Sequence, residues 1–319
     1  MNHYPSNVKE KLNSIILSMA EHHWLFSKNP GHDFTRQHLG KLSFYDTMRL
    51  IISMGKGSTN DEIMDYFDLD PDLIPSQSAF CQRRRQISLS AFEYLFSEFS
   101  SSFPSTTDKF KDHCILACDG CHVVYATNSD IIEDYNKPRL IDYKGYNHMH
   151  LNGFVDVISK AFLDVVIQPG QQPDEREALH SMLDHFTPDG PQKYIITADR
   201  GYESYDLLFH CELKNLGYVF RVKSPSSPKS ILSYYASEFP DDLEEFDVTI
   251  KRFFTDKATN IMKSQSDVYR YINPSKNTPH FYELLRKNHS HLYFLQFRVV
   301  KIKTAGISKT GNLFPPDSV

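Results

Sequence analysis

K-Y-I-I-T-A-D-R-G-Y-E-S, residues 193–204, is the stretch that decides the fold. Its β-prone first half predicts a buried strand ending in Asp199, Gly201 predicts a turn, and a helix is expected to start near Glu203. A further strand is predicted at Y-V-F-R-V-K, residues 218–223. A strand, a helix and a second strand in this order predict a β-α-β unit.

The residues before this unit predict antiparallel strands. Four β-prone runs lie at 114–119, 123–127, 153–159 and 161–168. The last two runs are expected to form a meander that turns at Ser159-Lys160, and Pro173 opens a predicted helix. Antiparallel strands followed by alternating strands and helices predict an α+β or α/β fold, with a mixed sheet and helices on its faces, over residues 109–223.

Residues 1–108 are predicted to form a helical N-terminal domain. Apolar side chains recur at helical spacing in residues 7–22 and 43–54. A helix over residues 60–67 is followed, after a Pro-containing turn, by a short helix that Ser76 can cap. Two short helices about a tight turn suggest a DNA-binding helix-turn-helix.

The second of these helices, S-Q-S-A-F-C-Q-R-R-R-Q-I, is rich in Gln and Arg. A formal net charge of −5 argues mildly against a nucleic-acid-binding protein, because such proteins usually carry a basic surface. A local patch can override that balance, so Gln77, Arg83, Arg84 and Arg85 are candidate DNA contacts. The alternative, a solvated helix in a helical bundle, stays open.

Residues 224–319 differ in character from those before them. They open with S-P-S-S-P and continue with short β-prone segments such as F-D-V-T-I, Y-R-Y-I and H-L-Y-F-L-Q-F-R-V-V-K-I. These segments predict a small β-rich subdomain that is inserted into the mixed sheet or appended to it.

Composition narrows the class of protein. With 319 residues, of which 40% are hydrophobic, the chain can form two or three globular domains. No apolar stretch approaches the ~20 residues that cross a bilayer, and the N-terminus lacks the apolar segment of a signal peptide. We therefore expect a cytosolic protein whose five cysteines are reduced thiols.

Two aspartates stand out because their contexts match. Asp119 follows the apolar run C-I-L-A-C, and Asp199 follows Y-I-I-T-A. Each is expected at the end of a strand, where open α/β sheets place their sites. If the two strands are neighbours, the carboxylates can share a divalent cation such as Mg²⁺ or Mn²⁺. Such ions support phosphoryl transfer.

Other interpretations of these residues remain open. An aspartate at a strand end is often only a turn former or a helix cap. Cys118 and Cys121 have the spacing of a zinc or redox site, with Cys114 and His122 as further candidate ligands. The sequence has no second C-x-x-C pair, however, and residues 118 and 121 of a strand point to opposite faces.

The segments together resemble DDE transposases of bacterial insertion sequences. T-A-D-R-G-Y-E-S (197–204), followed by Y-V-F-R-V-K, is similar to the IS-four family, in which a β-domain is inserted into a ribonuclease-H-like core. A-C-D-G (117–120) and Y-K-G-Y-N-H-M-H-L-N (143–152) match in the same order. The Arg-rich segment 76–87 resembles the family's N-terminal DNA-binding segment.

This resemblance implies a function. Asp119 and Asp199 would be the first two metal-binding acids, with Mg²⁺ or Mn²⁺ activating water to nick the element's end and then the freed 3′-hydroxyl to attack target DNA. The partners would be double-stranded DNA and a second copy of the chain, at the bacterial nucleoid. The further implied contacts to DNA, or to the turn beside the metals, are Lys144, Tyr146, His148, His150, Arg200, Gly201, Tyr202 and Arg221.

The family's third acid is a Glu in the signature Y-x-x-R-x-x-x-E-x-x-x-x-x-x-K, which the C-terminal third does not match. The nearest stretch, residues 282–291, has Arg286 one position late and Ser290 where Glu is expected. This predicts a chain that ends before its last catalytic helix. The alternatives are an inactive DNA-binding remnant and a generic metal-dependent nuclease on the same fold.

Overall fold

The structure is a computed structural model in which residues 4–35, 41–102, 109–137, 145–188, 193–240, 245–273 and 277–302 are described. The chain divides into two compact units, residues 1–107 and 108–319. Within the described residues, no helix is long and apolar enough to cross a membrane. The helices and strands together make a mixed α+β fold.

The first unit is helical in its described parts. Its helices are α1 (Tyr4–Glu21), α2 (Phe44–Ser53), α3 (Thr59–Tyr66), α4 (Gln77–Gln86) and α5 (Leu89–Ser101), with a 3₁₀ turn at His23–Phe26. Serine caps fix the starts of α2, α3 and α4, since the side chain of the residue before each helix accepts a backbone N–H of its first turn. The cap predicted at Ser76 is confirmed by its bond from the Ala79 N–H, 3.2 Å long.

The two predicted helices are present, but the prediction that a tight turn joins them is wrong. Residues 67–76 separate α3 from α4, whereas the motif joins its helices through about three or four residues. Phe80 of α4 and Ile63 of α3 are both fully buried in one small cluster with Leu42 and Leu50. Packing of this cluster, rather than a short turn, therefore sets the relation of the two helices.

The second unit contains a mixed six-stranded sheet, as predicted. Its strands are β1 (His113–Tyr125), β2 (Tyr135–Asn136), β3 (Tyr146–Asp156), β4 (Phe162–Pro169), β5 (Lys193–Ala198) and β6 (Gly217–Phe220). β3 runs antiparallel to β1, β2 and β4, while β5 runs parallel to both β1 and β6. Along the sheet the order is β2-β3-β1-β5-β6, with β4 also paired to β3.

Helices α6 (Glu175–His185) and α7 (Tyr205–Leu213) connect the parallel strands. Leu179 and Met182 of α6 and Leu207 of α7 share one buried core with Leu116 of β1 and Ile196 of β5. These side chains are all completely buried. The core therefore fixes the helices against the strands that carry the two aspartates.

The two β-prone runs at 114–119 and 123–127 are one continuous strand, which corrects the prediction of two. β1 pairs with β3 from Leu116 through Tyr125, so Gly120 lies within the ladder and makes no turn. Its first half alternates buried and partly buried residues, and its second half is mostly exposed. The change in burial marks where β1 leaves the core.

The residues after 223 contribute a second sheet and further helices. The sheet has the order β8-β7-β9, from β7 (Phe246–Thr255), β8 (Tyr269–Tyr271) and β9 (Leu292–Lys301). Around it lie a 3₁₀ segment at Ile231–Glu238, α8 (Asn260–Ser264) and α9 (Pro279–Lys287). The Phe209 ring of α7 contacts the Phe281 ring of α9 in a tilted arrangement, with centroids 4.8 Å apart, so this segment packs directly on the α7 helix.

Candidate active site

The paired strands bring Asp119 and Asp199 to the same place in the sheet. Cys118 of β1 is the partner of Ala198 in β5, and each aspartate is the next residue along its strand. Both aspartates are exposed. Asp199 follows the end of β5 as predicted, but Asp119 lies inside β1, because β3 continues to pair with β1 beyond the point where β5 stops.

Backbone amides orient both carboxylates. The N–H of Gly120 donates to Asp119 Oδ1 over 2.9 Å, and the N–H of Gly201 donates to Asp199 Oδ1 over 2.6 Å. Charge-assisted bonds of this kind are short and hold a side chain in one orientation. The turn after β5 thus fixes the Asp199 carboxylate.

Glu175, the first residue of α6, supplies a third carboxylate to this region. A Cβ atom built on Gly201 would lie 2.9 Å from both Asp199 Oδ1 and Glu175 Oε2, so those two oxygens are separated by at most twice that distance. Asp174 caps α6 by accepting the N–H groups of Arg176 and Glu177, which sets where Glu175 begins the helix. Glycine at 201 leaves room for both carboxylates.

His150 of β3 adds a buried polar side chain beside them. Its side chain is 4% exposed, and its Nε2 lies 3.4 Å from Glu175 Oε1. Neither ring nitrogen makes a hydrogen bond, which is unusual for a buried polar group. A side chain at Gly120 would collide with this ring.

The imidazole of His122 lies edge-on to those of His148 and His150, with centroids 4.6 and 4.8 Å away. Desolvation, and then the positive potential of those two neighbours, lowers the pKa of His122.

The donor set fits a hard divalent cation. Asp119, Asp199 and Glu175 offer carboxylate oxygens, and Mg²⁺ typically uses one or two protein carboxylates and completes its shell with water. In the described part of the chain, the tightest possible metal-binding group is a different one. It consists of three histidines, His180, His210 and His280, whose ligand atoms all lie within 4.8 Å of one another. The carboxylates form a more open site than these histidines.

The cysteines do not form the alternative site. Cys118 is buried and its thiol donates to the Tyr202 hydroxyl over 3.4 Å, while Cys121 is exposed. Burial raises the pKa of the Cys118 thiol to about 12, so without a bound metal the group is a neutral thiol near pH 7. The metal-ligating group found among the described residues contains no cysteine. The burial of Cys118 and the exposure of Cys121 agree with the sequence argument against such a site, that residues 118 and 121 of a strand point to opposite faces.

Arg200 and Arg221 are exposed next to Asp199. Arg200 follows it directly, and the backbone N–H of Arg221 donates to the carbonyl of Ala198 over 3.0 Å. Both residues are thus exposed, with their backbones close to Asp199, where a long cationic side chain suits contact with a phosphate backbone.

Of four other predicted DNA contacts, the structure describes three, which are differently placed. Tyr202 has no accessible surface, because its ring fills the core beneath the turn, so it is not a DNA contact in this structure. His148 is 8% exposed and bonds to Asn136. Tyr146 is 48% exposed at the start of β3, and Lys144 lies outside the described residues.

In the first unit, Gln77, Arg84 and Arg85 are exposed on α4. Arg83 is half-buried, with its guanidinium 5.1 Å from the Phe34 ring centroid and one N–H donated to Gln86 over 3.1 Å. Arg83 is therefore held by packing, and the other three side chains are available to a partner.

Glu203, the acid in the D-R-G-Y-E motif, is buried and structural. Its Oε1 accepts the Ser230 hydroxyl and the Ile231 N–H, over 2.7 and 2.6 Å. Its Oε2 accepts the backbone N–H of Lys223 over 3.0 Å and lies 3.3 Å from the ammonium of the same residue. Glu203 thus ties the turn after β5 to the segment that follows β6.

Sequence reasoning missed Glu175 and Glu203. The third acid was expected in the C-terminal third of the chain, whereas Glu175 lies before β5. The signal that marks it is its position, directly after the Asp174 cap of a helix that begins near the sheet edge. Nothing in the local sequence distinguishes Glu203 from an exposed acid at a helix start.

Comparison with known proteins assigns a family to this arrangement. The family described as "Transposase DDE domain" matches residues 110–291, more than half of the chain. No curated protein matches it significantly. Among solved structures, a piggyBac transposase in a synaptic complex with hairpin DNA aligns at 10% identity with a TM-score of 0.36. That alignment covers 83% of this chain, which spans 52% of the length of the other. The chain belongs to the transposase DDE domain family.

Proposed function

We propose that this chain cuts and joins DNA strands by metal-dependent phosphoryl transfer, acting on the ends of a mobile element and on target DNA. The observation that carries the proposal is the placement of Asp119 and Asp199, each one residue past the last paired residues of adjacent parallel strands. Two carboxylates at such a point are suited to share a divalent cation.

The order of the strands supports a ribonuclease-H-like core of the IS-four type. β1 lies between an antiparallel neighbour, β3, and a parallel one, β5. The acids of the proposed site come from both members of the parallel pair. Helices α6 and α7 follow β4 and β5 in the chain, as they would in such a core.

Each residue has a specific task in this proposal. Asp119 and Asp199 would hold Mg²⁺ or Mn²⁺, and Glu175 would complete the set of carboxylates. A bound cation would polarise the scissile phosphate and lower the pKa of the attacking water or 3′-hydroxyl. Arg200 and Arg221, exposed beside Asp199, would bind flanking phosphates and so hold the strand in register.

A strand-cleavage assay tests the proposal. The substrate is a supercoiled plasmid that carries the DNA flanking the gene, with EDTA as the control. We expect nicking in Mg²⁺ or Mn²⁺ and none in EDTA, followed by joining of the freed 3′-end to a second duplex. Nicking without joining would indicate a metal-dependent nuclease, and DNA binding without nicking in any divalent ion would contradict the proposal.

DNA binding by α4 yields a separate prediction. The double variant Arg84→Gln/Arg85→Gln should bind a duplex of the flanking DNA about tenfold more weakly, because each lost phosphate contact removes a released counterion. The slope of log K against log salt should fall by about two. Fluorescence anisotropy over a range of salt concentrations measures both quantities.

A matched control removes the same charge from another helix of the first unit. Lys9 and Lys11 are exposed on α1, and Lys9→Gln/Lys11→Gln should leave the salt slope within about half a unit of wild type. Equal losses in the two double variants would show that net charge alone, and not α4, governs binding.

A further inference from the structure

The second unit holds a cluster of imidazoles that the proposed DNA chemistry does not use. His180 lies on α6, His210 on α7 and His280 on α9, so residues far apart in the sequence meet at one point. One ligand atom from each lies within 4.8 Å of those from the other two. Such a set of nitrogens is typical of zinc and other late transition metals rather than of Mg²⁺.

Asp206, also on α7, places a carboxylate beside two of these histidines. Its Oδ2 lies 2.7 Å from His280 Nδ1 and 3.6 Å from His180 Nε2. Its Oδ1 accepts the backbone N–H groups of His280 and Phe281, over 3.1 and 3.3 Å. The side chain is only 2% exposed. One oxygen therefore anchors the start of α9, and the other faces the histidines.

The candidate ligand atoms of the three histidines are close to the spacing of a tetrahedral ion. His180 Nδ1 lies 2.9 Å from His210 Nδ1, and tetrahedral ligands with Zn–N bonds of about 2.0 Å are separated by about 3.3 Å. The contact of His180 with Asp206 is made by Nε2, the other nitrogen of the ring. Binding requires the rings to turn, because they are now stacked, with interplanar angles of 9–16°.

The surroundings of the cluster also fit a metal site. His210 Nε2 lies 3.2 Å from Asp184 Oδ1, the carboxylate–histidine arrangement that orients a metal-ligating imidazole.

The geometry points to a structural zinc site formed by His180, His210, His280 and Asp206. Four protein ligands close the coordination shell, as structural sites require. The ion links α6, α7 and α9, and so fastens the segment after residue 223 to the helices of the main sheet. It is distinct from the proposed Mg²⁺ site, whose donors are Asp119, Asp199 and Glu175.

Metal analysis of the full chain tests this site. After reconstitution with Zn²⁺ and desalting, mass spectrometry should find about one zinc per chain. Cobalt should give the intense visible absorption of tetrahedral Co²⁺. Zinc at a hundredfold excess over its Kd should raise Tm by about 5–10 °C. Less than about a tenth of an equivalent of zinc, without a cobalt band, would overturn the proposal.

Variants assign the ligands. His280→Ala, whose side chain is 14% exposed, should lose the cobalt band and the zinc-dependent rise in Tm. His185→Ala is the matched control, because His185 is on the same helix as His180 but its side chain is 68% exposed. Asp119→Asn should also keep its zinc, because Asp119 is not a ligand of this site. The zinc test therefore stands even if the proposed DNA chemistry proves wrong. A His280→Ala protein that retains the band would refute the assignment.

Discussion

Asp119→Asn and Asp199→Asn are each expected to lower the rate of DNA nicking by at least about a thousandfold. Asparagine keeps the size of the side chain but removes the negative charge that holds a divalent cation. Both aspartates are exposed and bond only to adjacent backbone amides in the described structure. The loss should therefore appear in nicking and not in Tm.

The double variant should be little worse than either single one, because residues that hold one ion act as a unit. Asp130→Asn is the control, since Asp130 is an exposed aspartate in the loop after β1. If both single variants nicked DNA at the rate of wild type, Asp119 and Asp199 would not be part of the catalytic site.

Glu203→Ala should lower the free energy of unfolding by about 3–5 kcal/mol. The substitution leaves the N–H groups of Lys223 and Ile231 and the hydroxyl of Ser230 without their acceptor, in a place where Glu203 is 4% exposed. Such a loss is a large part of the stability of an ordinary domain. Urea denaturation followed by circular dichroism measures it.

Two further variants separate the causes of this loss. Glu203→Gln keeps one carbonyl acceptor but points an NH₂ group at other donors, so its effect should lie between those of wild type and Glu203→Ala. Glu177→Ala on α6 removes an exposed glutamate and should change the free energy by less than about 0.5 kcal/mol. Equal stabilities for Glu203→Ala and Glu177→Ala would contradict the structural role of Glu203.

Local sequence patterns correctly predicted the helices and strands that are determined by neighbouring residues in the chain. The run before Asp199 forms β5, and the β-prone residues 161–168 match β4, because β-branched side chains with a clear turn on one side specify a strand. A helix expected from Pro173 begins at Glu175 behind the Asp174 cap. The helix predicted to start near Glu203 begins two residues later, after the Ser204 cap.

Features that depend on pairing between distant residues were not predictable in this way. Residues 120–122 separated two predicted strands, yet β1 continues through them, since β3 pairs along its length and His150 lies where a Cβ of Gly120 would be. The buried cluster that contains Phe80 and Ile63 likewise joins side chains from helices separated in the sequence. A single sequence does not show which strand or helix supplies such a partner.

The same limit applies to the candidate site. The matching contexts of Asp119 and Asp199 were visible, but Glu175 joins them only because α6 begins beside the turn at Gly201. Tyr202 belongs to the same motif and was expected at the DNA, yet it is fully buried against Cys118. Burial, which decides between contact and packing, is a property of the folded chain.

Binding of Mn²⁺, followed by electron paramagnetic resonance, tests the central claim most directly, since it needs no knowledge of the DNA. Wild type should bind Mn²⁺, and Asp119→Asn and Asp199→Asn should each weaken that binding by at least about tenfold, while His280→Ala leaves it unchanged. If both aspartate variants bound Mn²⁺ as tightly as wild type, Asp119 and Asp199 would not share a cation, and the proposed catalytic site would be wrong.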